Sequence, residues 1–352
     1  MRDDQSILEV LDAVSKRRHE RRSFLQYAGA ATVAAGGLSL LAACGNNNND
    51  DVPVQTPTPT PTTAAINDAD ILNFALQLEY LEAQFYSYAV YGVGLNSSLL
   101  GGTGTPGAVA TGTGAGQPRA VNFTGETLIG QYAREIAADE IAHVAFLRTA
   151  LGSAAVAQPA INISGDATGA FTAVARAAGI VGANETFDPY SSPDFFLLGA
   201  FIYEDVGVTA YKGASPLVAN KTYLEAAAGI LAAEAYHAGL VRTILYARGQ
   251  TTSSLITIAG QVSNLRDAAD GAPAEDLIRG IGPDDDQGID SVNGPNGIVA
   301  NLVPTNSNGL AFSRTPGQVL NIVYGNATTA SVSQGAFFPT GVNGTLKASA
   351  AK

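Results

Sequence analysis

Two stretches of this chain repeat each other in the residue types that bind metals. Glu140-Ile141-Ala142-His143 is followed by Arg148-Thr149-Ala150-Leu151, and Glu234-Ala235-Tyr236-His237 by Arg242-Thr243-Ile244-Leu245. All five matches share an offset of 94. Two further stretches match each other differently: Glu79 precedes Tyr86 by seven residues, and Glu204 precedes Tyr211 by seven. Asp and Glu make up 31 of 352 residues, so a given His has an acid three places ahead about one time in eleven. Two such pairs with a shared Arg-Thr-x-Leu are therefore a repeat and not an accident of composition.

The spacings have a chemical meaning if they lie on helices. Residues i and i+3 sit about 60° apart on one face, one turn along, so a Glu and a His there can reach one point. Residues i and i+7 are nearly eclipsed and about 10 Å apart, so the tyrosines fall just behind that point, with hydroxyls able to bond a carboxylate. Two Glu-x2-His helices and two Glu helices supply four carboxylates and two imidazoles. That set suits two hard cations, iron or manganese, better than zinc. Without metal the same residues would be buried His–carboxylate pairs. Glu204 lies in an apolar run, Phe201-Ile202-Tyr203 and Val206, where a carboxylate needs a cation or a proton. On the first helix the match to Glu204 and Tyr211 selects Glu79. Glu82 aligns with Gly207 and is either an extra ligand or a surface charge. Glu135 and Glu225 point to far faces. Asp139 and Asp205 lie about 100° from their neighbours, behind the site or at the surface. Arg148 and Arg242 pair with carboxylates inside the bundle or on its surface.

The elements that must carry these residues read as helices. The periodicity predicts one over 64–92, capped at Asn67 or Asp68, and a second over 125–152. Pro193 opens a third, 193–213, and Asn220 caps a fourth, 221–248, which Gly249 ends. Residues 93–124 and 153–191 read as long loops, with a short helix at 170–178. One short and two long connections suit a helix bundle with crossovers. A fifth helix is expected over 252–270, and the remainder of the 251–352 extension is Gly-, Asn- and Pro-rich, with a β-like piece at Val319–Tyr324. The run Asp284-Asp285-Asp286 lacks the spacing of a calcium loop and reads as a solvated turn. The glycines of 101–116 lack the Lys-Ser/Thr of a phosphate cradle.

The N-terminal 44 residues read as an export signal. Arg21-Arg22-Ser23-Phe24-Leu25 precedes an Ala/Gly/Leu stretch ending in Leu41-Ala42-Ala43-Cys44, which resembles a twin-arginine signal closed by a lipidation site at Cys44. Cys44 is the only Cys of the chain, which excludes a disulfide framework and thiolate metal clusters. Residues 45–65 are Asn-, Thr- and Pro-rich and read as a disordered tether. This predicts a periplasmic or cell-envelope protein that meets the membrane only through its lipid anchor. The formal net charge of -12 argues against a nucleic-acid partner.

The stretch Ile71-Leu-Asn-Phe-Ala-Leu-Gln-Leu-Glu79-Tyr-Leu-Glu-Ala-Gln-Phe-Tyr86, with the twin Glu-x2-His motifs, resembles the ferritin-like superfamily, and more narrowly bacterial ferritin-like proteins related to desiccation-related proteins. Gly335-Ala-Phe-Phe-Pro-Thr-Gly-Val-Asn-Gly344 resembles the tail of that family. The resemblance implies an all-α core, a ferritin-like four-helix bundle over 66–250. It implies two iron or two manganese ions held by Glu79, Glu140, His143, Glu204, Glu234 and His237, with Tyr86 and Tyr211 behind them. Redox chemistry on oxygen, peroxide or ferrous iron is expected, of which a dimanganese catalase is one form. A stress-associated structural protein with a vestigial centre is the alternative, and a closed iron-storage shell fits the tether and tail poorly.

Overall fold

The computed structural model describes residues 66–351 apart from 277–279, 283–284, 295 and 327. The signal, the tether and Cys44 lie outside the described residues. Helix α1 spans Asp68–Tyr91. It starts at Asn67, whose Oδ1 accepts from the Asp70 backbone N–H (3.1 Å) while Asp70 accepts from Asn67 N–H (3.0 Å). This reciprocal cap satisfies two otherwise orphaned donors. Helix α2 spans Thr127–Leu151 and the short α3 Ala170–Ala177. Helix α4, Pro193–Ala214, is capped by Ser192 with Pro193 at its first position, and α5, Lys221–Gly249, is capped by Asn220. Gly249, expected just past the end of α5, is its last helical residue, and Gln250 takes the cap position. The next helix (α6, Ser254–Asp270) begins so close there that a Cβ would meet Ile256 Cγ1 at 2.4 Å.

Side-chain pairings fix the directions. Asn73 reaches Ala154 O, whereas Tyr80 meets Arg148, so α1 and α2 are antiparallel. Arg248 pairs with Asp194 and Arg242 with Asp205, so α4 and α5 are antiparallel too. Tyr86 bonds Glu204 while Tyr211 bonds Glu79, which makes α1 and α4 antiparallel. The result is an up-down-down-up bundle of two hairpins related by an approximate two-fold. Of the two long connections, only 152–192 is a crossover; 92–126 joins neighbours. The two loops lie alongside each other through parallel bridges, Thr103 with Val156 and Val109 with Ile161.

The hairpins are not covered equally. On α1, 17 of 24 residues are buried, and on α4 15 of 22, because loops and the C-terminal extension wrap them. On α2 and α5 only 9 of 25 and 9 of 29 are buried, so these helices keep a solvent face. Glu135 and Glu225 lie on that face, exposed.

The extension is built from α6 (Ser254–Asp270), a two-stranded antiparallel hairpin of β1 (Val292–Gly294) and β2 (Gly297–Val299), and α7 (Pro316–Val323). The segment expected to be β-like is thus helical. Five apolar side chains around Asn321 cannot choose between strand and helix. Its start signal can: the Thr315 hydroxyl accepts from Gln318 N–H, Gln318 accepts from Thr315 N–H, and Pro316 takes the first position.

A buried ionic cluster fastens this extension to the bundle. Asp205 of α4 accepts from Arg242 of α5 and Arg266 of α6, each at 2.8 Å. Asp286 accepts from Arg266 and Arg314, each at 2.7 Å, and Arg314 also binds Asp270 at 2.6 Å. Three cations meet three anions, so no net charge is buried. Asp286 is 6% exposed, which corrects the reading of its run as a solvated turn. Its two arginines lie 20 and 28 residues away, beyond what local spacing reveals.

Candidate metal centre

The four long helices aim nine side chains at one region: Glu79, Glu82 and Tyr86 from α1, Glu140 and His143 from α2, Glu204 and Tyr211 from α4, Glu234 and His237 from α5. Every one of the five glutamates is at most 6% exposed. His143 Nδ1 lies 3.2 Å from Glu79 Oε2 and 3.7 Å from both Glu140 Oε2 and Glu234 Oε1. His237 Nδ1 lies 3.1 Å from Glu140 Oε1 and 3.6 Å from Glu204 Oε2. The oxygens and nitrogens face a common space instead of bonding each other. Both oxygens of Glu140, one oxygen each of Glu79, Glu82, Glu204 and Glu234, and Nδ1 of both histidines are buried without a hydrogen-bond partner. Eight such atoms in one place would be costly unless a cation satisfied them.

Three overlapping groups bring ligand atoms within 4.8 Å of one another: Glu79, Glu140, His143 and Glu234; Glu140, Glu204 and His237; and Glu82, Glu204 and Glu234. Glu140 belongs to both histidine groups and so lies between them. Carboxylates and imidazoles without thiolate match iron or manganese, so the residues present fit a hard-cation pair.

Neighbouring groups set the aim of the ligands. Tyr86 donates to Glu204 and Tyr211 to Glu79, each tyrosine serving the other hairpin's carboxylate. Burial, reinforced by Glu204 for one and Glu79 for the other, holds both phenols well above their ordinary pKa, so they stay protonated donors. His237 Nε2 lies 3.1 Å from Asp139 Oδ2, which fixes the tautomer that leaves Nδ1 free for the centre. Sequence alone left Asp139 between site and surface; its side chain does both, being 48% exposed.

Glu82 is inside the cluster. Its two-fold mate is Gly207, and the vacancy that glycine leaves is the room Glu82 needs. A Cβ at 207 would fall 2.3 Å from Glu234 Oε2 and 3.4 Å from Glu82 Oε1. The Glu82/Gly207 mismatch was thus the signal that could have placed Glu82. Of the two arginines, Arg242 pairs with the carboxylate of Asp205 inside the bundle, as expected. Arg148 departs from expectation: among the described residues it meets no carboxylate and donates to the Tyr80 hydroxyl and Gly101 O. Tyr203, passed over in the sequence, carries a buried hydroxyl without a partner.

Without ions the centre holds protons. Burial, then repulsion from Glu140, raises Glu79 to about 7. Burial likewise raises Glu204 to about 8, and Glu82 and Glu234 well above the usual range. Burial opposes charge on the histidines as well, but the surrounding carboxylates prevail and raise His143 to about 11 and His237 to about 9. Burial opposes ionisation of Glu140 also, yet the two imidazoles bring it down to about 2.

The raised groups bind more protons folded than unfolded, so their stabilisation is complete at low pH and is lost as pH climbs through the folded values. Glu140 acts oppositely, and only below its ordinary value of 4.5. Chelator-treated protein should therefore melt at steadily lower temperature from about pH 5 to about pH 9, whereas metal, which displaces these protons, should bind more tightly as pH rises. Calorimetry across that range checks this, and a flat or rising melting temperature in the chelated protein contradicts it.

Residues 67–247 match the family model described as a ferritin-like domain. The desiccation-related protein PCC13-62 of Craterostigma plantagineum is 27% identical over 288 residues, covering 79% of this chain and 83% of its own length. The ferritin-like catalase Nec2 of Nesocodon mauritianus is 25% identical over 309 residues, covering 84% of this chain and 90% of its own. No solved structure matches significantly. The matched segment takes in α1, α2, α4 and nearly all of α5, with every residue facing the centre, and the chain belongs to the ferritin-like family.

Proposed function

We propose that this protein is an exported oxidoreductase whose bundle holds two ions of iron or manganese and acts on hydrogen peroxide or oxygen. The observation that carries this reading is the convergence of eight unpartnered buried donor atoms from four helices. Glu79, Glu140, His143, Glu204, Glu234 and His237 are the proposed ligands, with Glu82 as a seventh. When bound, a redox pair of ions supplies and takes back the two electrons that peroxide chemistry exchanges. The chain's own part is to fix the ligands and keep bulk water out. Tyr86 and Tyr211 orient Glu204 and Glu79, Asp139 orients His237, and the wrapped side of the bundle closes the centre to solvent. Peroxide is the substrate to test first, because one relative is named a ferritin-like catalase. The proposal extends to export by Arg21-Arg22 and anchoring at Cys44, so that the centre works in the cell envelope.

Elemental analysis of natively isolated protein, followed by an oxygen-electrode assay with peroxide, tests the reading. About two iron or manganese ions per chain and oxygen release are expected. Protein without stoichiometric metal, whose melting temperature does not rise on reconstitution, would instead support a structural stress protein, a role compatible with the name of the desiccation-related relative.

A further inference from the structure

The wrapped side of the bundle contains a cavity of about 470 Å³ between α3, α4, α6 and α7. Its rim includes the exposed small residues Ala173, Ala177, Ala268 and Gly325, so it opens to solvent. Its floor is apolar and buried: Ile202, Ile322 and Phe337 are 3%, 8% and 1% exposed. Arg266 also lines it, with its charge taken up by Asp205 and Asp286. The same three apolar residues also line a second, inner space of about 10 Å³, together with Glu82, Tyr203 and Gly207. That is room for one water-sized molecule. Two residues of its lining, Tyr203 and Glu82, each carry a buried oxygen without a hydrogen-bond partner. The two spaces thus lead from solvent to the carboxylate that breaks the two-fold of the centre.

We propose that these spaces form the entry path of a small uncharged oxidant, hydrogen peroxide or dioxygen, gated by Ile202, Ile322 and Phe337 and ending between Tyr203 and Glu82. This deepens the proposed function and rests on it for the identity of the traveller. The walls select by desolvation. An uncharged molecule of two to four atoms loses far less in an apolar passage than a hydrated cation or an anion, which would lose its shell with nothing to replace it. Ions have a different approach at the α2–α5 face, where the Asp139 side chain is 48% exposed and that of His143 12%. Peroxide arriving at the inner space finds the unpartnered Tyr203 hydroxyl beside Glu82, one of the proposed ligands. The path also gives the C-terminal extension a task, since residues beyond 250 supply most of the lining of the outer cavity.

Two arms test the path in the full chain. The first needs no metal: crystals of the metal-free protein pressurised with xenon should show xenon in the outer cavity and at the gate. Absence of xenon from both overturns the path, whatever the enzyme does. In the second arm, Ile322→Phe narrows the gate from the extension and Ile202→Phe narrows it from α4. Should one not fold, the other still reports. With metal content unchanged, either should lower kcat/KM for peroxide about ten-fold while largely sparing kcat. Phe337→Ala should widen the gate and raise turnover of a bulkier hydroperoxide. Unchanged kcat/KM in a folded, metal-loaded narrowed variant overturns the path. Xenon at the gate in a protein that consumes no oxidant would leave the passage in place and overturn the functional reading instead.

Discussion

Replacing His143 and His237 together by Ala should empty the centre. Each imidazole points Nδ1 at a different carboxylate group, and Glu140 is common to both, so the double change removes the nitrogen ligand of each proposed ion. An ion present at a thousand times its Kd stabilises the fold by about 4 kcal/mol. Losing two should lower the melting temperature of the loaded protein on the order of 10 °C or more, since each kcal/mol moves a domain of this size by about 2–4 °C. Metal-free parent and metal-free variant should differ far less, because the remaining carboxylates can hold protons. The comparison therefore separates metal binding from packing. Elemental analysis gives the direct readout: about two ions in the parent, none in the variant, and the full complement in Glu135→Gln, whose side chain lies on the solvent face. Unchanged metal content in the double variant would place the ions elsewhere.

The second large effect lies outside the centre. Asp286→Ala should destabilise the protein by about 3–5 kcal/mol, because it leaves Arg266 and Arg314 facing each other in the interior with half their anions gone. Nothing can rehydrate them: each guanidinium is at most 2% exposed. Urea denaturation checks the magnitude. Asp290→Ala, an exposed position in the same loop, should change stability by less than about 0.5 kcal/mol. A loss at Asp286 no greater than that at Asp290 would mean that the extension is not held by this cluster.

The long helices were legible because their signals are local. Asn67, Ser192-Pro193 and Asn220 announce their starts, and repeats at three and seven residues mark the faces that meet. The twin Glu-x2-His motifs named the residues that converge, because a helix turns spacing into direction. What stayed hidden depends on partners distant in sequence. Asp286 looks like one of three solvated acids until Arg266 and Arg314 are beside it. Val319–Tyr324 looks like a strand until its cap is counted with it. Asp139 and Glu82 lie at the edge of the inward face, where a few degrees of helix rotation decide between solvent and site. No periodicity could foretell that the extension would cover one side of the bundle and leave the other bare.

The crossed tyrosines have a consequence for how such a molecule could be assembled. Tyr86 serves Glu204 and Tyr211 serves Glu79, so neither hairpin completes its own clasp. Two identical hairpins could do so only as an isologous dimer, in which residue 82 of one copy and residue 207 of the other would have to be the same amino acid. A glutamate at both places would force Glu234 out of its position in the centre, because a Cβ at 207 falls 2.3 Å from Glu234 Oε2. Joining the halves in one polypeptide lifts that restriction, and it is what allows a fifth glutamate to stand on one side only.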